Sequence, residues 1–550
     1  MGRRTRNLVV GASLVGMVLG TPAVAAADSG TAPANFQTQS SMIQRITKAV
    51  QLTKDEPVPT RAFSGPVMLA DPSNPRIIVA ATAELRTRVC YLIRSTNAGK
   101  TWHILPSLPA LPGYPFCTNT SGGITQSPIA WGRNSTLYYA LSGYNNADGG
   151  DTGHANTSIM LAKSTNLGSS WSTVLVQNNR GLTGTNIAHS APVASVSVDT
   201  SGPQDVVYVA WRESHPNATS GTLAATSWAM VAVSRNGGHT FSAPQNINLQ
   251  SKLTFTDSAG TVHTYFEGAP FVAAGKNGTV VAMSSEALFP SALPTGTPTL
   301  PHPMLIAVSH DYGQTWNFQA LGPASFAVRA PAISWSPLGG PNGTFLAAYQ
   351  SSPNQSAGEG DIWFQRSTDN GATWSSPVHL NDEPQADLGL SFLPQMNVAP
   401  NGRIDVIFYD FRLNHGFSPD VYYTWSNDDG VTWSHNVRVT DQSINFSLGV
   451  SANSDLRQPP GVASANDYAA FGWADTRLGN QTTQTQDVFG DVAQFHTLPA
   501  ASSSTPAVLA AIFGGILAAG IVLLVVLASR RRKEQGPTTG RVEEPEPATT

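Results

Sequence analysis

The side chains able to do chemistry recur at two places in a repeating unit. Just ahead of Pro-led apolar strands stand Gln126, His189, Glu267, Arg329, Asp455 and Arg457. Just after the next apolar run stand Glu84, Arg212, Glu213, Glu286, Gln350, Asp410, Arg412, Asp475 and Arg477. Guanidinium forks suit bidentate capture of a carboxylate, which makes Arg212, Arg329 and Arg457 candidate binders of an acidic ligand. Gln126, His189, Glu286 and Asp455 are candidate binding residues beside them. Tyr265 and Glu267, two apart, share one side of a strand. Asp410/Arg412 and Asp475/Arg477 have an i,i+2 spacing that also suits a structural ion pair. His189 has no second His or Cys at metal-ligand spacing. Asn145–His154 (NNADGGDTGH) is rich in oxygen ligands but lacks the alternating acids of an EF-hand, and reads as a Gly/Asp loop. No cofactor is expected, since no P-loop, Rossmann fingerprint or serine-hydrolase elbow is present.

Six copies of one turn position these residues: STNAGKTW (Ser95–Trp102), STNLGSSW (Ser164–Trp171), SRNGGHTF (Ser234–Phe241), SHDYGQTW (Ser309–Trp316), STDNGATW (Ser367–Trp374) and SNDDGVTW (Ser426–Trp433). The pattern is Ser-x-Asp/Asn-x-Gly-x-Thr/Ser-Trp/Phe. Its Asp or Asn can accept backbone N–H groups, its Gly supplies a positive φ, and its hydroxyls tie the turn. Six copies at regular spacing indicate a repeat architecture. Upstream of each copy, a Pro-led strand, a tight turn (Asn277-Gly278, Asn342-Gly343, Asn401-Gly402) and a second apolar strand form a hairpin. A seventh hairpin follows the last copy, with a third strand at Gln486–Phe495 and no fourth. VQLTKDEP (Val50–Pro57) is similar to VHLNDEP (Val378–Pro384), so the missing strand is expected near Val50.

The six segments resemble the Asp-box, or BNR, repeats of the sialidase superfamily. The resemblance implies an all-β propeller of four-stranded antiparallel blades. The count is seven, or six with one merged repeat, closed by the N-terminal strand; sialidase catalytic domains have six. The implied activity is exo-glycoside hydrolysis of terminal sialic acid or a related acidic sugar. Asp boxes also occur in propellers that hydrolyse no glycan, so a non-catalytic glycan- or protein-binding propeller is the alternative. Sialidases hold the sugar carboxylate with three arginines and use a Tyr–Glu pair as nucleophile and an Asp as acid/base. Those roles would fall on Arg329, Arg457 and Arg212, on Tyr265 with Glu267, and on Asp410. Val328-Arg329-Ala330-Pro331 fits the Arg-x-Pro context of the first sialidase arginine, but in the fifth repeat. The first repeat has Ser64 at that place.

The tight turns all fall at one end of the blades. The long connections, such as Gly143–Ser158 and Ala243–Ala269, fall at the other, where a glycan or surface ligand is expected. The chain divides into a signal peptide (1–27), a linker (28–48), the propeller (49–496), a linker (497–506), a transmembrane helix (507–528) and a cytoplasmic tail (529–550). Residues 507–528 are apolar for 22 positions and precede Arg530, Arg531, Arg532 and Lys533, which places the propeller outside the cell membrane. A sortase-type signal at Leu498-Pro499 is the rival reading. Export makes a Cys90–Cys117 disulfide plausible, with two buried thiols as the alternative. A net charge of −4 in 550 residues, without an internal basic block, argues against nucleic acid as a partner.

Overall fold

Largely apolar strands that are buried at every position need cover on both faces. The second strand of each repeat is of this kind, as in Ile78–Glu84, Thr344–Ser351, Ile404–Asp410 and Tyr468–Asp475, all fully buried. The fold covers them by stacking sheet on sheet. The computed structural model describes residues 36–37, 43–46 and 48–495, apart from 57, 59, 109–110, 119–127, 145–156, 180–193, 215–226, 257–259, 261, 266, 286–301, 326–330, 352–359, 384–390, 415–417 and 451–458.

Seven four-stranded antiparallel sheets follow one another along the chain and form a seven-bladed β-propeller. The inner strands are Val67–Ala70, Ile129–Trp131, Ala194–Asp199, Phe271–Ala274, Ala332–Ser336, Ser391–Val398 and Gly461–Ser464. Each continues through a tight turn into the second strand, which pairs with a third. The repeated turn then leads to a short outer strand such as Val378–His379. The six-blade alternative is thereby excluded. The core lies between blades. One buried cluster joins Ala140 and Leu161 of the second to Val207 and Val209 of the third. Another joins Met68 and Ile78 of the first to Ala470 and Val488 of the seventh.

The seventh blade combines both ends of the propeller sequence. Val50 and Gln51 pair with Gly490 and Phe489, as His379 and Val378 pair with Trp363 and Phe364 in the fifth. Leu52 N–H then donates to the Val488 carbonyl at 2.8 Å, and Leu380 N–H to that of Ile362 at 2.8 Å. The stretch read as a linker carries two further strands. Ile43–Ile46 pairs with the same third strand of the seventh blade, and Phe36–Gln37 pairs in parallel with Trp433–Ser434. Cys90 and Cys117 are disulfide-bonded. Among the described residues no helix is long and apolar enough to cross a membrane; 507–528 lies outside them, as does the Asn145–His154 loop beyond Asn145's preceding strand.

The repeated turn has the same wiring six times. In the last copy, Ser426 Oγ donates to Asp428 Oδ1 (2.8 Å) and accepts from Gly430 N (2.9 Å), while Thr432 N donates to Asp428 Oδ1 (2.9 Å). The first three copies carry Asn, whose Nδ2 donates to the Thr or Ser hydroxyl at 2.8 Å. The last three carry Asp, and there the Thr hydroxyl donates instead. The glycine of each turn has φ between +78° and +85° and lies against the third strand of the preceding blade. Gly168 meets Leu92, Gly371 meets Val308 and Gly430 meets Phe364; Gly99 of the first blade meets Val492 of the seventh. The turn is therefore a clasp between blades as well as a clip between strands.

Two outcomes follow. A Cβ on Gly430 would come within 2.2 Å of Phe364 Cε1 at a φ of +80°, so Gly430→Ala should destabilise by about 2–4 kcal/mol. Gly202→Ala, whose Cβ meets nothing nearer than 3.8 Å, should be near neutral; equal melting losses in the two would refute the clasp. The carboxyls of Asp311, Asp369 and Asp428 are opposed by partial burial but held below the ordinary range by hydrogen bonds, chiefly from Thr315, Thr373 and Thr432. Their stabilisation is full above the unfolded value of about 3.9 and is lost as pH falls through the lower folded values. The triple change of these three aspartates to asparagine should therefore flatten the loss of stability below about pH 4, read as denaturant midpoints across that range.

Candidate functional site

With both hairpin turns at one end of each blade, the connections from second to third strand and from outer strand to the next blade meet at the other. The acids closing the second strands stand at this loop end, and backbone and hydroxyl groups hold them. Glu84 accepts from Ala62 N (2.8 Å) and Thr87 N (2.6 Å). Glu213 and Asp475 each accept the indole N–H of the tryptophan two residues earlier, at 3.2 and 2.9 Å. Asp410 accepts from Ser391 Oγ (2.9 Å) and from Arg412 N (2.6 Å).

The i,i+2 pairs form: Arg412–Asp410 and Arg477–Asp475 are both 2.7 Å. Each arginine also crosses to the preceding blade. Arg412 reaches Asp382 (2.7 Å) and Glu383, which follow the fifth outer strand, and lies over the Tyr422 ring. Arg477 reaches Asp441 (2.9 Å), which follows the sixth outer strand, and lies over Phe489. Both guanidinium groups are thus committed to tying neighbouring blades. Burial, then repulsion from Asp410, raises the Glu383 carboxyl to about 7, with Arg412 opposing. Glu383 therefore holds a proton near neutral pH beside Asp410 and Asp382. Sequence reasoning missed Asp382 and Glu383. Their signal is the acid after each outer strand, in LTKDEP, LNDEP and VTDQS.

Arg212 differs from those arginines. It closes the second strand of the third blade with solvent-accessible side-chain area, although the protein packed around the guanidinium desolvates it and lowers its pKa, and among the described residues it makes no ion pair. Its partners in the expected trio, Arg329 and Arg457, lie outside the described residues, as do Gln126, His189, Glu286 and Asp455. The structure does not therefore bring a three-arginine group together among the described residues. Tyr265 and Glu267 are close in sequence but both are buried, Glu267 completely. Neither carboxyl oxygen of Glu267 has a hydrogen-bond partner, while its backbone is clamped by Asn248 at 2.9 and 3.0 Å. Burial raises this carboxyl to about 8, with the nearby Ala307 backbone amide opposing from beyond hydrogen-bond geometry. A carboxyl protonated at neutral pH, and shielded from solvent, does not serve as a base toward a substrate. Among the described residues no group of three His, Cys, Asp or Glu side chains could hold a metal ion.

The fold and the loop end define a seven-bladed β-propeller with one charged, irregular face. No family model matches the chain, and no curated protein does. Solved structures resemble it at the level of the propeller. One is a GH93 α-L-arabinofuranosidase of Fusarium graminearum with arabinobiose, at 14% identity, covering 66% of this chain and 92% of that one, TM-score 0.40. A Hadza microbial sialidase has 14% identity over 76% of this chain and 73% of its own, TM-score 0.41. An ulvan lyase of family PL25 has 11% identity over 80% and 95%, TM-score 0.42. At these identities and scores the likeness carries no argument about function.

The linkage sign for Glu267 gives a test. Between the unfolded value near 4.5 and the folded value of about 8, the folded state binds the extra proton, so stability falls as pH rises through that window. Glu267→Gln should be more stable than the parent by on the order of 3 kcal/mol at pH 7, with the gap closing toward pH 4.5. A gap independent of pH, in denaturant titrations, would contradict the buried neutral carboxyl.

Proposed function

We propose that the loop face of this Asp-box propeller binds an acidic glycan, with Arg212 supplying a charge-assisted contact to the sugar carboxylate. The observation that carries the reading is the contrast among the arginines. Arg412 and Arg477 are spent on blade-to-blade ion pairs, whereas Arg212, at the same end, has none among the described residues. A guanidinium free of internal acids retains its fork for a planar anion. Recognition by binding alone fits the burial of Tyr265 and Glu267, since a nucleophile must reach the scissile carbon.

One observation favours a second reading, exo-glycoside hydrolysis of a terminal sialic or related acidic sugar. Glu383 protonated near neutral pH beside Asp410 is the division of labour that two-carboxylate hydrolases use. Under either reading the N-terminal strand at Val50–Gln51 closes the ring, the chain is exported, and 507–528 anchors the propeller outside the cell membrane. These last points rest on the sequence, and detergent phase partitioning of full-length and 507–550-deleted protein tests the anchor.

The binding test is calorimetric titration of the chain with sialyllactose and with lactose. Sialyllactose should bind, and Arg212→Ala should weaken it about tenfold or more, the scale of a lost charged hydrogen bond. Equal binding of the two sugars removes the acidic-ligand reading. Fluorophore release from an aryl sialoside, abolished in Glu383→Gln, would favour the hydrolase; its absence across pH 4–8 leaves the binder.

A further inference from the structure

The propeller has a concave space of its own at the end opposite the loop face. A cavity of about 340 Å³ lies on the axis, lined by inner-strand residues of all seven blades from Leu69 to Ser464. Its position near the tight turns is fixed by Pro72, Pro337 and Pro400 in the wall. That volume falls at the small end of the range for ligand pockets, about 300–1,000 Å³.

Four of the lining residues carry a polar atom with no hydrogen-bond partner: Asp71 Oδ2, Trp131 Nε1, Trp335 Nε1 and Ser464 Oγ. Asp71 is fully buried and Ser464 is 5% exposed. Asp71 differs from its equivalent in another blade. Asp199 is its counterpart at the end of the third inner strand. There Oδ1 accepts from Ser201 N (2.8 Å) and Oδ2 from Gly278 N of the next blade's turn (3.0 Å). Asp71 Oδ1 likewise accepts from Ser73 N (2.8 Å). The amide in the place of Gly278 in the second blade's turn is that of Ser135, and Asp71 Oδ2 takes no hydrogen bond from it. One carboxylate oxygen is thus left over in the cavity wall.

We propose that this axial cavity binds a neutral polyhydroxyl ligand of monosaccharide size, at a site separate from the loop face. Among the described lining residues Asp71 alone is ionisable, so an anion meets repulsion in the wall, and the Lys276 ammonium near it is placed over the Trp335 ring. A simple cation would satisfy Asp71 but leave two indole N–H donors unmet. An apolar ligand would leave all four groups unmet, each a costly state when buried. A hydroxyl both donates and accepts, so one polyol can give a proton to Asp71 and accept from Trp131 and Trp335. The remaining wall mixes aliphatic and prolyl groups, Leu69, Ile129 and Val196 among them, with the polar Ser197, Ser334 and Asn397, and suits both the C–H faces and the hydroxyls of a sugar ring. The four polar atoms are shielded from solvent, so the bound state differs from this one by side-chain rotations at the wall.

The test uses the full chain with D-glucose, D-galactose, L-arabinose and myo-inositol as probes. Intrinsic tryptophan fluorescence and saturation-transfer NMR report binding, and melting curves report folding. At least one probe should bind saturably, and Trp335→Phe, Trp131→Phe and Asp71→Asn should each weaken it by about tenfold, the effect of one lost hydrogen bond. The Trp→Phe changes keep an aromatic ring and delete the N–H, so they carry the test if Asp71→Asn fails to fold. No saturable response to any of the four probes overturns the proposal. So does a response lost in Arg212→Ala but kept in the folded cavity variants, because that places the sugar on the loop face.

Discussion

One hydrogen bond, made six times, sets the geometry of this propeller. A glycine amide donates to the hydroxyl of the serine four residues earlier, at 2.8–2.9 Å, and fixes the chain at positive φ. Because the glycine lacks a Cβ, the turn can sit directly on the third strand of the preceding blade. Local and long-range order are therefore set by the same atoms. The Asp or Asn completes the turn, and the terminal Trp of three copies donates its indole N–H to the glycine carbonyl. With blade spacing held at one end, the opposite end is free to carry connections of any length.

At that opposite end, charge is used mainly for assembly. Arg412 and Arg477 bridge from their own blade to the acid after the previous outer strand. At the tight-turn end Arg403, buried between Asp405 and the backbone carbonyls of Ala465 and Tyr468, performs the same service between the sixth and seventh blades. Such pairs specify how blades meet more than they add stability, since desolvation offsets much of their attraction. Against this background Arg212 stands apart, and that contrast carries the proposal of a ligand-binding face.

The repeated turns, the hairpins and the strand near Val50 were legible because each is written within a few adjacent residues. Ser-x-Asp/Asn-x-Gly specifies its own hydrogen bonds, and Asn-Gly between apolar runs specifies a hairpin. The likeness of VQLTKDEP to VHLNDEP located the pairing with Gly490 and Phe489, more than 400 residues away in sequence. The i,i+2 ion pairs were legible for the same reason. The linker reading at 28–48 passed over Ile43–Ile46, whose partner lies at the far end of the propeller.

Sequence alone determined the all-β class, the repeat and the end at which irregular connections gather, since these follow from local turn chemistry and strand periodicity; it left seven or six blades open, and the sheet pairing decided for seven. Tertiary structure decided which charged groups are available. Tyr265 and Glu267 share a strand-like spacing, but stacking of the third and fourth blades buries them, and burial makes Glu267 an acid instead of a base. Asp382 and Glu383 look like loop residues until Arg412 of the next blade closes on them. Burial and charge pairing depend on which blade lies alongside, and that information is distributed over the whole wheel.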